Sequence, residues 1–144
     1  MFDIVSPYII AAATGWVVAQ GLKYIILSIK GRKLKTVRQL YLSGSMPSAH
    51  SATVMAVLIV IGFKDGVGSA IFGLGLLFAS VVMYDAMMVR RSSGEQGQAL
   101  TALIKEQKSK VHLPRVAKGH TPLEVLVGGA IGILIGIVVS VLTI

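Results

Sequence analysis

The chain has 144 residues, of which 54% are hydrophobic, with a mean hydropathy of +0.79 and a formal net charge of +8. That is more apolar surface than one soluble core of this size can cover, so the composition points to an integral membrane protein and argues against a nucleic-acid binder. The absence of cysteine excludes a disulfide framework and thiolate chemistry.

The N-terminus, MFDIVSPYII, carries an acid where a signal peptide would carry its basic region, and the first apolar run reads as retained. A hydrocarbon core of about 30 Å needs roughly 20 apolar residues per helical crossing. Four runs approach that length, at about 7–29, 47–63, 67–89 and 122–144. None alternates with the period of two that a barrel requires, so the predicted fold is all-α, a compact bundle of about four transmembrane helices in one domain spanning 1–144. The second run is short for a crossing.

The loop at about 30–46 holds Lys30, Arg32, Lys33, Lys35 and Arg38, and the loop at about 90–121 holds Arg90, Arg91, Lys105, Lys108, Lys110, Arg115 and Lys118. Cytoplasmic loops are enriched in Lys and Arg, so both loops are predicted to face the cytoplasm and both termini the outside, in a plasma or inner membrane. Within the second loop, Leu100, Leu103 and Ile104 share one helical face opposite charged residues, which predicts a helix lying on the cytoplasmic membrane surface over 94–110. Ala11, Gly15 and Ala19 in the first run, and Gly128, Gly132 and Gly136 in the last, form small-residue ridges that suit close helix packing, either within one chain or between copies in a homo-oligomer.

The costly polar residues fall at one predicted depth, that of the cytoplasmic helix ends. His50 opens the second run, Asp85 closes the third with Arg90 and Arg91 just beyond, and His120 precedes the fourth. Ionisable groups at such a level pair with one another or line a polar cavity. Two helix N-termini, with Pro47 and Pro122 expected in their first turns, would add unpaired N–H groups and positive dipole ends, a setting that holds a phosphate. Arg38, Arg90, Arg91, Lys118 and Lys23 are the candidate cations. Each has a plainer reading beside it. Thr121 with Glu124 also forms a capping box, Asp85 could simply pair with Arg90 or Arg91, and His112 reads as a headgroup contact.

Three stretches, SGSMPSAHSATV, YDAMMVRRSSGEQGQAL and GHTPLEV, resemble the divergent small membrane branch of the type 2 phosphatidic acid phosphatase superfamily, which is related to vanadium-dependent haloperoxidases. The superfamily's Pro-Ser-Gly-His motif is similar to Pro47, Ser48, Ala49 and His50, and its histidine with an acid four residues on is similar to His120 and Glu124. The superfamily's first motif, Lys with Arg-Pro seven residues later, has no counterpart at that spacing, and Lys23 and Arg38 are the nearest residues. Arg115 lies one residue too close to the histidine for the third motif and lacks its serine, which leaves Arg90 or Arg91 to supply that charge.

The resemblance implies a lipid-phosphate phosphatase acting through a phosphohistidine. His120 is the nucleophile, Glu124 orients it, and His50 protonates the leaving alkoxide and then activates water. Ser48 and the basic residues bind phosphate. The resemblance implies no metal and no cofactor, vanadate as a phosphate-mimicking inhibitor, and a phospholipid or polyprenyl phosphate such as phosphatidylglycerol phosphate as substrate. A noncatalytic anion-binding or transporting bundle is the alternative from another class, and a haloperoxidase a third.

Overall fold

A computed structural model describes residues 5–29, 46–114, 116 and 119–143. Among them the chain is all-helical. Helix α1, Pro7–Ile29, begins with Pro7 in its first position, where a missing N–H is harmless, and the Ser6 carbonyl accepts from Ile10. Helix α2, Ala49–Lys64, is capped by Ser48, whose hydroxyl oxygen accepts from the Ser51 amide at 3.4 Å and from the Ser51 hydroxyl at 2.9 Å. Pro47 therefore sits ahead of the cap and outside the helix, where the sequence had suggested the first turn.

A tight turn follows, in which Gly66 takes a φ of +86°, a conformation open to glycine and costly to most other residues. Ser69 then caps helix α3, Ala70–Tyr84, accepting from the Phe72 amide at 3.2 Å. α3 passes through a π-helical turn, Asp85–Val89, directly into α4, Arg90–Glu106. α4 stops in a Schellman arrangement, with Lys108 at φ +49° and the Ser109 amide donating to the Ile104 carbonyl. Helix α5, Pro122–Leu142, completes the order.

Three of these helical stretches are long and apolar enough to cross a membrane: Pro7–Ile29, Ala70–Glu106 and Pro122–Leu142. α2 is equally apolar but has 16 residues, about 24 Å at 1.5 Å per residue, short of a hydrocarbon core of about 30 Å. The 37-residue stretch from α3 through α4 has the opposite mismatch, since about 55 Å cannot lie wholly within that core. The surface helix expected over 94–110 is thus no separate element; its residues largely form the polar continuation of the third helix.

The bundle is assembled by small residues. α2 and α5 run parallel, and the glycine ridge of α5 lies directly on α2. A Cβ added at Gly128 would sit 2.4 Å from the Ser48 carbonyl oxygen, at Gly132 2.3 Å from that of Ala52, and at Gly136 2.6 Å from the Ile59 Cβ. Packing replaces the hydrophobic effect as the source of helix association in lipid, and only glycine permits this approach. α1 crosses antiparallel, with Ala11, Gly15 and Ala19 buried against Ala49, Ala52, Ala56 and Val60. Both small-residue ridges are consumed within one chain. At the end where α2 and α5 finish, the Tyr8 hydroxyl donates to Asp65 at 2.6 Å and Lys64 donates to the Thr143 carbonyl, tying three helices together. The large side chains point outward, among them Leu74, Leu77, Phe78 and Val81 of α3 and Leu126, Leu134 and Val138 of α5. In a membrane these face lipid tails.

Candidate active site

The parallel course of α2 and α5 sets their N-termini side by side, and one hydrogen bond joins them: the Ser48 amide donates to the Glu124 carbonyl at 3.1 Å. Ser48 and Ser51 are fully buried at this junction. Two positive dipole ends thus meet with several amides free of intrahelical partners, a ready anion site.

The start of α5 gives Glu124 two duties. Thr121 caps the helix, accepting from the Glu124 amide at 3.3 Å, while Glu124 Oε2 accepts from the Thr121 amide at 3.0 Å. That same Oε2 lies 3.1 Å from His120 Nδ1. The capping box is therefore present, and the same carboxylate oxygen that closes it also faces the histidine. With Nδ1 facing a carboxylate, the imidazole carries its proton there and presents Nε2 bare. His120 is only 9% exposed and lies just ahead of the membrane-spanning α5. Burial, the strongest influence, pushes its pKa below histidine's ordinary 6.5; the hydrogen bond and charge of Glu124 push upward, and the charges of Lys23 and Arg90 add to the lowering. The neutral, nucleophilic form is favoured.

The backbone of His120 is fixed by an unexpected partner. In the π-turn the Arg90 amide donates to the Asp85 carbonyl, five residues back, which frees the Ala86 carbonyl of its usual helical donor. Ala86 O accepts instead from the His120 amide at 3.0 Å. Gly119 permits the contact, since a Cβ there would lie 2.4 Å from the Arg91 nitrogen. Neither the π-turn nor the need for glycine at position 119 was read from the sequence; a π-turn has no composition of its own, and only the glycine just before His120 hinted at a close approach.

His50 stands in the first turn of α2, exposed, and within the electrostatic reach of Arg90, His120, Lys23 and Asp85. Lys23, 4% exposed, reaches this level from α1, and Glu124 is its opposing charge. Arg90 pairs through Nε with Asp85 Oδ2 at 2.8 Å. Among the candidate site residues, His120 is thus in contact with Glu124 and Asp85 with Arg90, while Lys23 and His50 lie within electrostatic reach of these pairs. Arg91 does not join them in the same way: its guanidinium pairs with Glu95 at 3.2 Å beside an open hollow of about 320 Å³ shared with Met87, Met88 and Ser92. Arg38 and Lys118 lie outside the described residues, and His112 is exposed beyond α4. Among the described residues, no group of three or more His, Asp or Glu side chains is gathered as a metal ion would require.

The sequence profile of the Divergent PAP2 family matches residues 4–135. An uncharacterized membrane protein, YuiD of Bacillus subtilis (strain 168), is 34% identical over 137 residues, covering 85% of this chain and 86% of its own length. No solved structure matches.

Proposed function

Because the chain belongs to the Divergent PAP2 family, we propose that it is a membrane-embedded phosphatase that hydrolyses a lipid phosphomonoester through a phosphohistidine. The observation that carries this reading is the His120 to Glu124 pair set between two helix N-termini, with Lys23 and Arg90 alongside.

His120 Nε2 attacks phosphorus while its Nδ1 proton stays on the Glu124 side, where the carboxylate stabilises the imidazolium as it forms. The bond from phosphorus to the lipid oxygen breaks, and the alkoxide takes a proton from His50. His50, now neutral, accepts a proton from water as that water attacks the phosphohistidine. Inorganic phosphate leaves, and both imidazoles return to their starting states. Lys23, Arg90 and the free amides opening α2 and α5 stabilise the negative charge on the equatorial oxygens, with Arg38 and Lys118 the further cations assigned to that role; Ser48, fully buried as the α2 cap, and Arg91, paired with Glu95, stand apart from the phosphate. The scheme uses no metal, and orthovanadate is its phosphate-mimicking inhibitor.

The substrate follows from the surroundings. A site at the edge of a bundle whose outer face is apolar meets a phosphate that is itself anchored in the bilayer. The excess of Lys and Arg in the two long loops supports a cytoplasmic setting for that edge, with α2 read as a fourth, short crossing and both termini outside. A lipid made on that leaflet, phosphatidylglycerol phosphate or a chemical relative such as a polyprenyl phosphate, is the class assigned.

The test is phosphate release from a panel of lipid phosphates by purified protein in detergent, with and without chelator. Release that survives chelation and disappears in His120→Ala is the expected result. No release from any lipid phosphate, with anion binding intact in His120→Ala, would instead make the bundle a noncatalytic anion binder.

A further inference from the structure

The π-turn combines three features that an uninterrupted α-helix would lack. Its hydrogen bond from the Arg90 amide to the Asp85 carbonyl displaces the Ala86 carbonyl, which takes up the His120 amide at 3.0 Å. Its extra residue brings positions five apart onto one face, which is how Asp85 and Arg90 meet at 2.8 Å; an α-helix pairs positions three or four apart and points those five apart in different directions. Finally, the backbone of Arg91 comes so close to Gly119 that no β-carbon fits between them. The His120 loop is therefore seated on the π-turn by its main chain, while α5 holds the same histidine by its side chain.

We propose that the π-turn Asp85–Val89 is the positioning element of the site: Ala86, through its carbonyl, and Gly119, through its missing side chain, set the nucleophile, and Asp85 sets Arg90 against the phosphate. This rests on the phosphatase reading for its kinetic consequences but not for its geometry. Asp85, Ala86 and Gly119 touch no substrate; they act through His120 and Arg90. Such an arrangement also explains why α3 and α4 form one unbroken element: a π-turn re-aims a helix side chain without ending the helix, and such turns recur at functional sites.

Gly119→Ala tests the first half. To bring its β-carbon from 2.4 Å to even 3.0 Å from the Arg91 nitrogen, the loop must lift by about 0.6 Å, and displacements of that order cost up to about 10²-fold in rate. The expected result is a kcat reduced by about 10- to 100-fold at nearly unchanged KM, together with faster hydrogen exchange at the His120 amide. Gly73→Ala serves as the control: it lies on α3, its β-carbon would meet nothing within 4 Å, and it should move neither reading. Wild-type kcat and wild-type exchange in Gly119→Ala would overturn the proposal.

Asp85→Asn tests the second half without threatening the fold, since the pair is substantially exposed. Loss of an exposed pair releases Arg90, and orthovanadate affinity should fall by about two- to fivefold; unchanged affinity removes Asp85 from the positioning set. Should the wild-type protein release no phosphate, the phosphatase reading fails by itself. The amide exchange and orthovanadate titrations still decide the role of the π-turn, because neither needs turnover.

Discussion

Replacing Glu124 by Gln separates two duties that one carboxylate oxygen performs. Oε2 accepts from the Thr121 amide at 3.0 Å and faces His120 Nδ1 at 3.1 Å. An amide oxygen in the same place can keep both bonds, and Gln is as acceptable as Glu at the third position of a capping box. What disappears is the charge. A hydrogen bond to a charged group contributes about 1.5–3 kcal/mol against about 1 for a neutral pair, so the imidazolium formed during attack loses up to about 2 kcal/mol. At about 1.4 kcal/mol per factor of ten, kcat should fall by about 2- to 30-fold. Melting temperature in detergent should change by only a few degrees. Because the carboxylate raises the proton affinity of His120, its loss should also move the acid limb of the rate profile to lower pH. Glu124→Ala removes the anchor of the tautomer and half of the capping box together, so it should be slower still and less stable by about 1 kcal/mol. The assay is initial phosphate release from a lipid phosphate in mixed micelles, at saturating substrate, across about pH 5 to 8. Glu124→Gln with wild-type kcat, or Glu124→Ala no worse than Glu124→Gln, would refute the assignment of Glu124 as partner of the nucleophile.

On the phosphatase reading, the acid limb for the wild-type protein should lie below pH 6.5: burial lowers the His120 pKa, so the neutral imidazole is available above that lowered value and is lost only as pH falls through it. A flat profile from pH 7 down to well below that range would exclude His120 as the titrating nucleophile. Phosphoenzyme trapping should find label on the wild-type protein and none on His120→Ala, while His50→Ala should accumulate label when the leaving group is an activated phenol that needs no acid. Gly132→Ala forces a β-carbon to 2.3 Å from the Ala52 carbonyl oxygen and should cost about 1–3 kcal/mol, whereas Gly73→Ala, which meets nothing within 4 Å, should be neutral or stabilising by thermal melt in detergent. Lys23→Met should weaken orthovanadate binding and Lys23→Arg should largely preserve it; equal loss in both would point to a packing role for the buried stem.

Much of the molecule is legible in one dimension because it depends on neighbours in sequence. The helical, membrane-embedded class follows from apolar runs, and α1 coincides with its predicted bounds, 7–29. The capping box at Thr121 and Glu124 is a spacing of three residues and needs no tertiary information. That His50, His120, Asp85 and Arg90 all stand at or near helix ends could be read because apolar run length fixes where each run stops.

Only the tertiary structure decided how those edges join. A glycine ridge at Gly128, Gly132 and Gly136 declares that something packs closely, but not that the partner is α2 in the same chain, nor that the two helices run parallel with their N-termini together. Pro47 reads as a first-turn residue by propensity, yet burial of Ser48 and its bond to the Glu124 carbonyl make Ser48 the cap. The π-turn is set in the same way. A helix closes on the fourth residue by default, and what stabilises the exception at Asp85 is a donor to the Ala86 carbonyl from thirty-four residues further along the sequence, the His120 amide, which no local pattern around Asp85 contains.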